Sequence, residues 1–200
     1  MNKQQIRLSF IVIAFFIFQS GMVLGQEEVK YDISVAGISI GEMTAVKKKV
    51  GQKTYYDIKS EVSFWFFGKI NLDYLVKAEY LEKQLIKADA QSKTNRGDFR
   101  TLIQWNKDHY NVDAKNYKYE NNKPIGKPLY FSSAVFFFEE PLNTREFMAE
   151  GYGLVATIKK VKDYYEADVN GNKNKYYYVN GILDKAVMYS PIKNYVVKRK

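Results

Sequence analysis

The chain has 200 residues, a formal net charge of +9, 17 Tyr and 13 Phe, one His and no Cys. Without Cys it builds no disulfide, no His/Cys zinc site, no Cys-His dyad and no thiol redox centre, so an apolar core must hold the fold. Any Ser-His-Asp chemistry would have to run through His109, and no GxSxG motif accompanies it.

Lys3 and Arg7 precede the apolar run Leu8 to Phe18, which Gln19 and Ser20 interrupt before Val23, Leu24 and Gly25. This is the layout of a secretory signal peptide cleaved before Gln26. A membrane anchor needs roughly 18 or more apolar residues, more than this run supplies. No Cys follows the cleavage point, which excludes a lipid-anchored lipoprotein. The expectation is an exported protein, periplasmic or extracellular, with residues 1–25 as leader, residues 26–200 as a single β domain and no integral membrane span after cleavage. Losing Lys3 and Arg7 takes the charge from +9 to +7. That surplus fits anionic partners such as lipid headgroups or acidic glycans, and equally a merely solvated surface; nucleic acid is not expected.

From Val29 the apolar residues recur with period two. Val29, Tyr31, Ile33 and Val35 form one arm of a hairpin that turns at Gly37 into Ile38 and Ile40. Gly51-Gln52 separates the basic run Lys47 to Lys49 from a strand whose Tyr56, Ile58, Ser60, Val62 and Phe64 share a face. KINLDYLVKAEY alternates most clearly: Ile70, Leu72, Tyr74, Val76, Ala78 and Tyr80 point inward, while Asn71, Asp73, Lys77 and Glu79 point out. Charges in mid-strand argue against a lipid-facing outer-membrane barrel. Further strands are expected at 85–95, 101–106, 109–119, 152–169, 174–179, 182–189 and 194–198. KPIGKPLYF turns the chain into SSAVFFFEEP, read as a short helix near residues 132–139, capped by Ser132 or Ser133 and ended by Pro141.

About ten antiparallel strands and one helix give an all-β fold. The options are a barrel, a half-barrel wrapped over the helix, or a sandwich. The curled sheet with the helix on its concave face is preferred, because three consecutive Phe residues need more apolar surface than a sheet edge offers.

DVNGNKNKYYYVNG, from Asp168 to Gly181, places oxygens at alternate positions as a calcium loop does. An EF-hand would need Gly at position 6 and Glu at position 12, where this chain has Lys173 and Val179. Two Asn-Gly hairpin turns explain the stretch instead. No metal and no cofactor is expected. The compact acidic groups Glu139-Glu140 and Asp163/Glu166/Asp168 read as a helix end and a solvated strand face.

Two aromatic clusters remain, Trp65, Phe66 and Phe67 in FWFFG, and Phe136, Phe137 and Phe138 in AVFFF. They are the candidate ligand-binding residues. They would line or rim a pocket for an apolar or amphipathic molecule, or form a membrane-touching tip; the structural alternative is core plugs at a barrel end.

YDISVAGISIGEMTAVKK, FFFEEP, GYG at Gly151 to Gly153, and YYYVNGIL together resemble exported bacterial β-proteins classed as a domain of unknown function. The resemblance spans the mature chain and implies no catalytic residues. The curled sheet with a helix across it is also similar, as fold analogy alone, to the half-barrels of periplasmic lipoprotein carriers. The reading is therefore a non-enzymatic envelope protein that binds or carries an apolar or amphipathic molecule such as a lipid. The alternative is a structural or interaction module that docks an envelope protein or a glycan.

Overall fold

The computed structural model describes residues 25–65, 68–95, 97–116, 119–189 and 193–200. The leader expected at residues 1–25 thus lies outside the described residues except for Gly25.

Fourteen strands form one antiparallel sheet: β1 (Gly25–Val35), β2 (Ile38–Val50), β3 (Lys53–Trp65), β4 (Lys69–Leu81), β5 (Gln84–Thr94), β6 (Gly97–Asn106), β7 (His109–Asn116), β8 (Tyr119–Asn121), β9 (Glu146–Ala149), β10 (Leu154–Val161), β11 (Tyr164–Val169), β12 (Asn172–Val179), β13 (Ile182–Met188) and β14 (Tyr195–Arg199). Strands β1 to β8 make one meander and β9 to β14 another. The two join where β1 pairs with β14, Tyr31 opposite Arg199. The all-β, antiparallel, curled architecture agrees with the sequence. The strand count does not: fourteen form where about ten are expected, because 152–169 is a hairpin turning at Lys162-Asp163 and because β8 and β9 are short extra edges.

Alternation decides which residues go inside. Tyr31 and Ile33 of β1, Ile58 of β3, Val76, Ala78 and Tyr80 of β4, Ile103 of β6 and Tyr176 of β12 are buried in a common core. Asp73 and Lys77 on the opposite face of β4 are exposed. Ala36-Gly37, Asn170-Gly171 and Asn180-Gly181 all have positive φ at both residues, as type I′ turns require. Asp168 Oδ1 accepts the Gly171 N–H at 3.0 Å, and Asn174 Oδ1 accepts the Tyr189 N–H at 2.8 Å. The oxygens of the calcium-like run thus serve hairpin and strand connections.

The expected helix near residues 132–139 is a single 3-10 turn, Val135–Phe137. The physical reason is the three Phe rings. With about three residues per turn, successive side chains point roughly a third of a turn apart, and each meets a different wall. Phe136 packs on Phe147 and Tyr176, Phe137 on Tyr31, and Phe138 on Tyr56. Neither Ser132 nor Ser133 caps the turn through its own side chain.

The ladder ends at β8 on one side and β9 on the other. The strip between these edges ties them together. Ile125 exchanges both backbone hydrogen bonds with Tyr110 of β7, the Phe131 carbonyl accepts from Met148 N–H, and Ser133 N–H donates to the Met148 carbonyl. Side chains add three polar links: Thr101 and Asn116 donate to the Gly151 carbonyl, and Asn121 to the Gly153 carbonyl. The sheet itself is not closed, with no β8–β9 ladder among the described residues, and the strip shields two edges that would otherwise template aggregation.

Candidate functional site

Hairpin turns alternate between the two ends of an antiparallel meander. One end collects the turns after β1, β3, β5, β9 and β11 and the β13–β14 connection; the other collects those after β2, β4, β6, β10 and β12. Trp65 closes β3 at the first of these, here termed the tryptophan end.

The interior is chemically divided along this axis. Toward the far end it is filled by the 3-10 turn. The Tyr31 hydroxyl donates to the Phe137 carbonyl at 3.1 Å, and the Tyr178 hydroxyl donates to the Phe136 carbonyl at 2.8 Å. Glu139 accepts from Lys47 and Tyr56, and Glu140 from Tyr165. Lys160 of β10 also lies 3.6 Å from Glu140, so the contacts reach the ends of β2 and β10 and the starts of β3 and β11, and the two acids clamp the plug to opposite walls.

Where the plug meets the turn after β9 the interior becomes polar. Glu150, fully buried in the turn after β9, accepts hydrogen bonds from the Ser133 N–H, the Ser133 hydroxyl and the Ala134 N–H. It therefore supplies the cap that the 3-10 turn lacks locally. Burial pushes its carboxyl above the ordinary carboxylate range, against the opposing pull of these hydrogen bonds. Beside it the buried hydroxyls of Tyr80 and Ser132 face one another without completing a hydrogen bond of normal geometry.

Four more tyrosines surround this corner. Tyr74 of β4 interacts electrostatically with Glu150, Tyr195, Tyr152 and Tyr176, and Tyr176 with Tyr195 and Glu150. Burial raises the Tyr74 and Tyr176 hydroxyls well above the usual phenol range and pushes Tyr195 up to about 12. All four are therefore neutral at physiological pH. Tyr74, Tyr152 and Tyr195 are half-buried, whereas Tyr176 lies deep.

The aromatic residues singled out in the sequence do not share one environment. Phe136 is 0% exposed and central to the core, and Phe137 and Phe138 pack against that core. Trp65 is 77% exposed at the rim. Phe66 and Phe67 lie outside the described residues. Ile38, 70% exposed, opens β2 at the same end, and the β2–β3 pairing ends at Gly41 opposite Val62, three residues short of Ile38 on one strand and of Trp65 on the other. Lys69 is paired directly with Trp65 across the β3–β4 hairpin. The other Trp, Trp105, sits at the far end and stacks edge-on with Tyr110 at 4.7 Å.

His109 lies in the β6–β7 hairpin, its ring bonded to Asp108 at 2.7 Å and Asn111 at 3.0 Å. A cleft of about 340 Å³ opens on the outer face of β5, β6 and β7, lined by Lys93, Asp98, Arg100, Leu102, Asp113 and Lys115. Asp89 grips Arg100 through two hydrogen bonds. Among the described residues no group of three or more His, Cys, Asp or Glu is placed to hold a metal, and no helix is long and apolar enough to cross a membrane. Sequence reasoning missed Glu150 and its tyrosines. They come from four separate parts of the chain, and each reads alone as a core or turn position.

A search of curated proteins finds no match. Among solved structures, the chain is similar to a β-barrel-like protein of the DUF1849 domain of unknown function from Brucella abortus, with a TM-score of 0.53 and 11% identity, covering 89% of this chain and 96% of that one. At that identity the likeness concerns the fold alone, and it agrees with a curled, barrel-like antiparallel sheet. The sequence from residue 31 to residue 200 matches the DUF6134 family, a domain of unknown function, and the chain belongs to that family.

Proposed function

We propose that the protein is an exported, non-catalytic envelope protein that binds amphipathic material by contact at its tryptophan end, the target being a bilayer surface with anionic headgroups. The observation that carries this reading is the rim itself. Trp65 and Ile38 project into solvent from adjoining strands, with Lys69 paired across from Trp65. An indole and a branched aliphatic side chain beside an ammonium group match the boundary between acyl chains and headgroups, and the chain's excess of basic residues adds long-range attraction.

Contact at the rim is favoured over carriage inside the sheet because Phe136, Phe137 and Phe138 occupy the concave space where an enclosed apolar ligand would lie. It is favoured over a glycan platform because Trp65 and Trp105 lie at opposite ends and do not form one stacking row. Co-sedimentation of residues 26–200 with vesicles of mixed anionic and zwitterionic phospholipid tests the reading. Wild type should pellet with vesicles at low salt, and the double variant Trp65→Ala/Ile38→Ala should stay in the supernatant. Equal pelleting of the two proteins, or no pelleting of wild type, would refute it.

A further inference from the structure

We infer that the outer face of β11 to β14 is a docking surface for an acidic polysaccharide, with Tyr164 and Tyr177 as its stacking platform and Lys175, Lys185 and Lys198 as its charges. The ladders set these side chains in order. The pairing of β11 with β12 reaches Tyr165 opposite Tyr176, and one residue further along each strand the rings of Tyr164 and Tyr177 lie 5.4 Å apart. Tyr177 is paired with Lys185 across β12 and β13, and Lys185 with Lys198 across β13 and β14. Three steps of about 4.8 Å between strands make this row about 14 Å long. The alternation that buries Tyr165, Tyr176, Ala186 and Val197 turns all four members of the row outward, where they are half-buried or exposed.

The ammonium groups stand over tyrosine faces and not beside carboxylates. Lys175 Nζ is 5.0 Å from the centre of the Tyr164 ring, and Lys185 Nζ is 4.3 Å from that of Tyr177. None of Lys175, Lys185 and Lys198 makes an ion pair among the described residues, and the neighbouring acids are engaged elsewhere. Glu166 lies 3.5 Å from Lys159, Asp32 lies 3.2 Å from Lys200, and Asp168 Oδ1 accepts the Gly171 N–H. Asp184, the other acid on these strands, falls at the register shift of β12 and β13 and is paired across neither ladder. Like charges directly opposite one another are destabilising, so Lys185 and Lys198 form a positive site whose counter-charge is not on the sheet.

An electron-rich aromatic face receives the C–H face of a sugar ring, while an ammonium group takes a carboxylate. A polymer of uronic acids supplies both on every unit. The contact of an ammonium group with an exposed ring is weak, so an arriving sugar displaces Lys185 from Tyr177 at small cost. β11, β12 and β13 each have hydrogen-bonded neighbours on both sides, which leaves no strand edge for a peptide to extend. The row crosses the strands and follows the curl of the sheet, a path that a flexible chain traces and a flat bilayer does not. Neither Trp belongs to this face, since Trp65 lies on β3 and Trp105 on β6. The surface is therefore separate from the rim contact and goes beyond it.

The test is calorimetric titration of residues 26–200 with oligogalacturonate, with the same oligomer fully methyl-esterified, and with polyglutamate of matched charge. Wild type should bind the acidic sugar roughly tenfold more tightly than either control, the ester lacking its charge and the peptide its rings. Lys175→Gln/Lys185→Gln should weaken that binding roughly fivefold. Tyr164→Thr/Tyr177→Thr, which removes the rings but keeps strand propensity, should weaken the acid and the ester alike. Trp65→Ala/Ile38→Ala should bind the acidic sugar as wild type does, so that failure here and failure at the rim are read separately. No binding of oligogalacturonate, equal binding of the ester or of polyglutamate, or lysine and tyrosine variants indistinguishable from wild type would overturn the docking surface.

Discussion

Glu150 holds Ala134 at 3.1 Å, its carboxylate accepting the backbone N–H that opens the 3-10 turn sixteen residues earlier in the chain. The same carboxylate takes the Ser133 N–H at 3.0 Å. Glu150→Ala should therefore strand two N–H groups in the interior and cost about 2–4 kcal/mol, read as a lowered urea midpoint with an unchanged slope. A loss below about 0.5 kcal/mol would mean that the plug does not depend on this cap.

The pH dependence follows from the same group. Burial raises the Glu150 pKa above its ordinary value of 4.5, so the folded protein binds this proton more tightly than the unfolded chain does. Its contribution is most favourable below the ordinary value and diminishes as pH rises through the folded value. Urea midpoints measured from pH 4 to pH 8 should fall more steeply with pH for wild type than for Glu150→Gln. Parallel profiles would contradict this.

Two glycines separate conformational strain from collision. Gly171 has φ +82° with open space around a would-be Cβ, so Gly171→Ala should cost about 1 kcal/mol. Gly153 has φ +59°, and a Cβ there would stand 2.6 Å from Val112 Cγ1 and 3.0 Å from Ala114 Cβ. Gly153→Ala should cost clearly more, about 2–4 kcal/mol, because the seam must also give way. Thermal melts of the two variants rank them directly.

Stability and surface binding should come apart in the aromatic set. Phe136→Ala empties a fully buried site against Phe147 and Tyr176 and should lose about 3–5 kcal/mol. Trp65→Ala should change stability by less than about 0.5 kcal/mol while weakening vesicle binding. With Trp105→Phe as background, Trp65 emission should shift to the blue on addition of vesicles; an unchanged spectrum would remove Trp65 from the contact.

Most of the architecture could be read where each strand has one wet face. KINLDYLVKAEY declares its inward residues by alternation, and the Asn-Gly pairs declare their turns by tolerating positive φ. Strand β9 escaped because Phe147, Met148 and Ala149 are buried in succession, the strip from Ile125 to Ser133 crossing beside it, so no alternation survives. The aromatic clusters drew attention for their density, but density does not distinguish the exposed Trp65 from the enclosed Phe136. Glu150 was illegible for a different reason. One acid in AEGYG looks like any surface turn, and its burial depends on tyrosines contributed by β4, β12 and β14.

The pairing of β1 with β14 also bears on how the protein is made. Among the described residues the two meanders share no other ladder, so the strand pairing that unites them joins residues from the start and finish of the chain, such as Ser34 and Val196. A large loop-closure entropy attaches to that step, and topology of this kind folds slowly. During synthesis the first meander must wait with β1 as a bare edge until the last strand arrives. That delay makes the interval before β14 docks the period of greatest exposure to proteases and to edge-to-edge association.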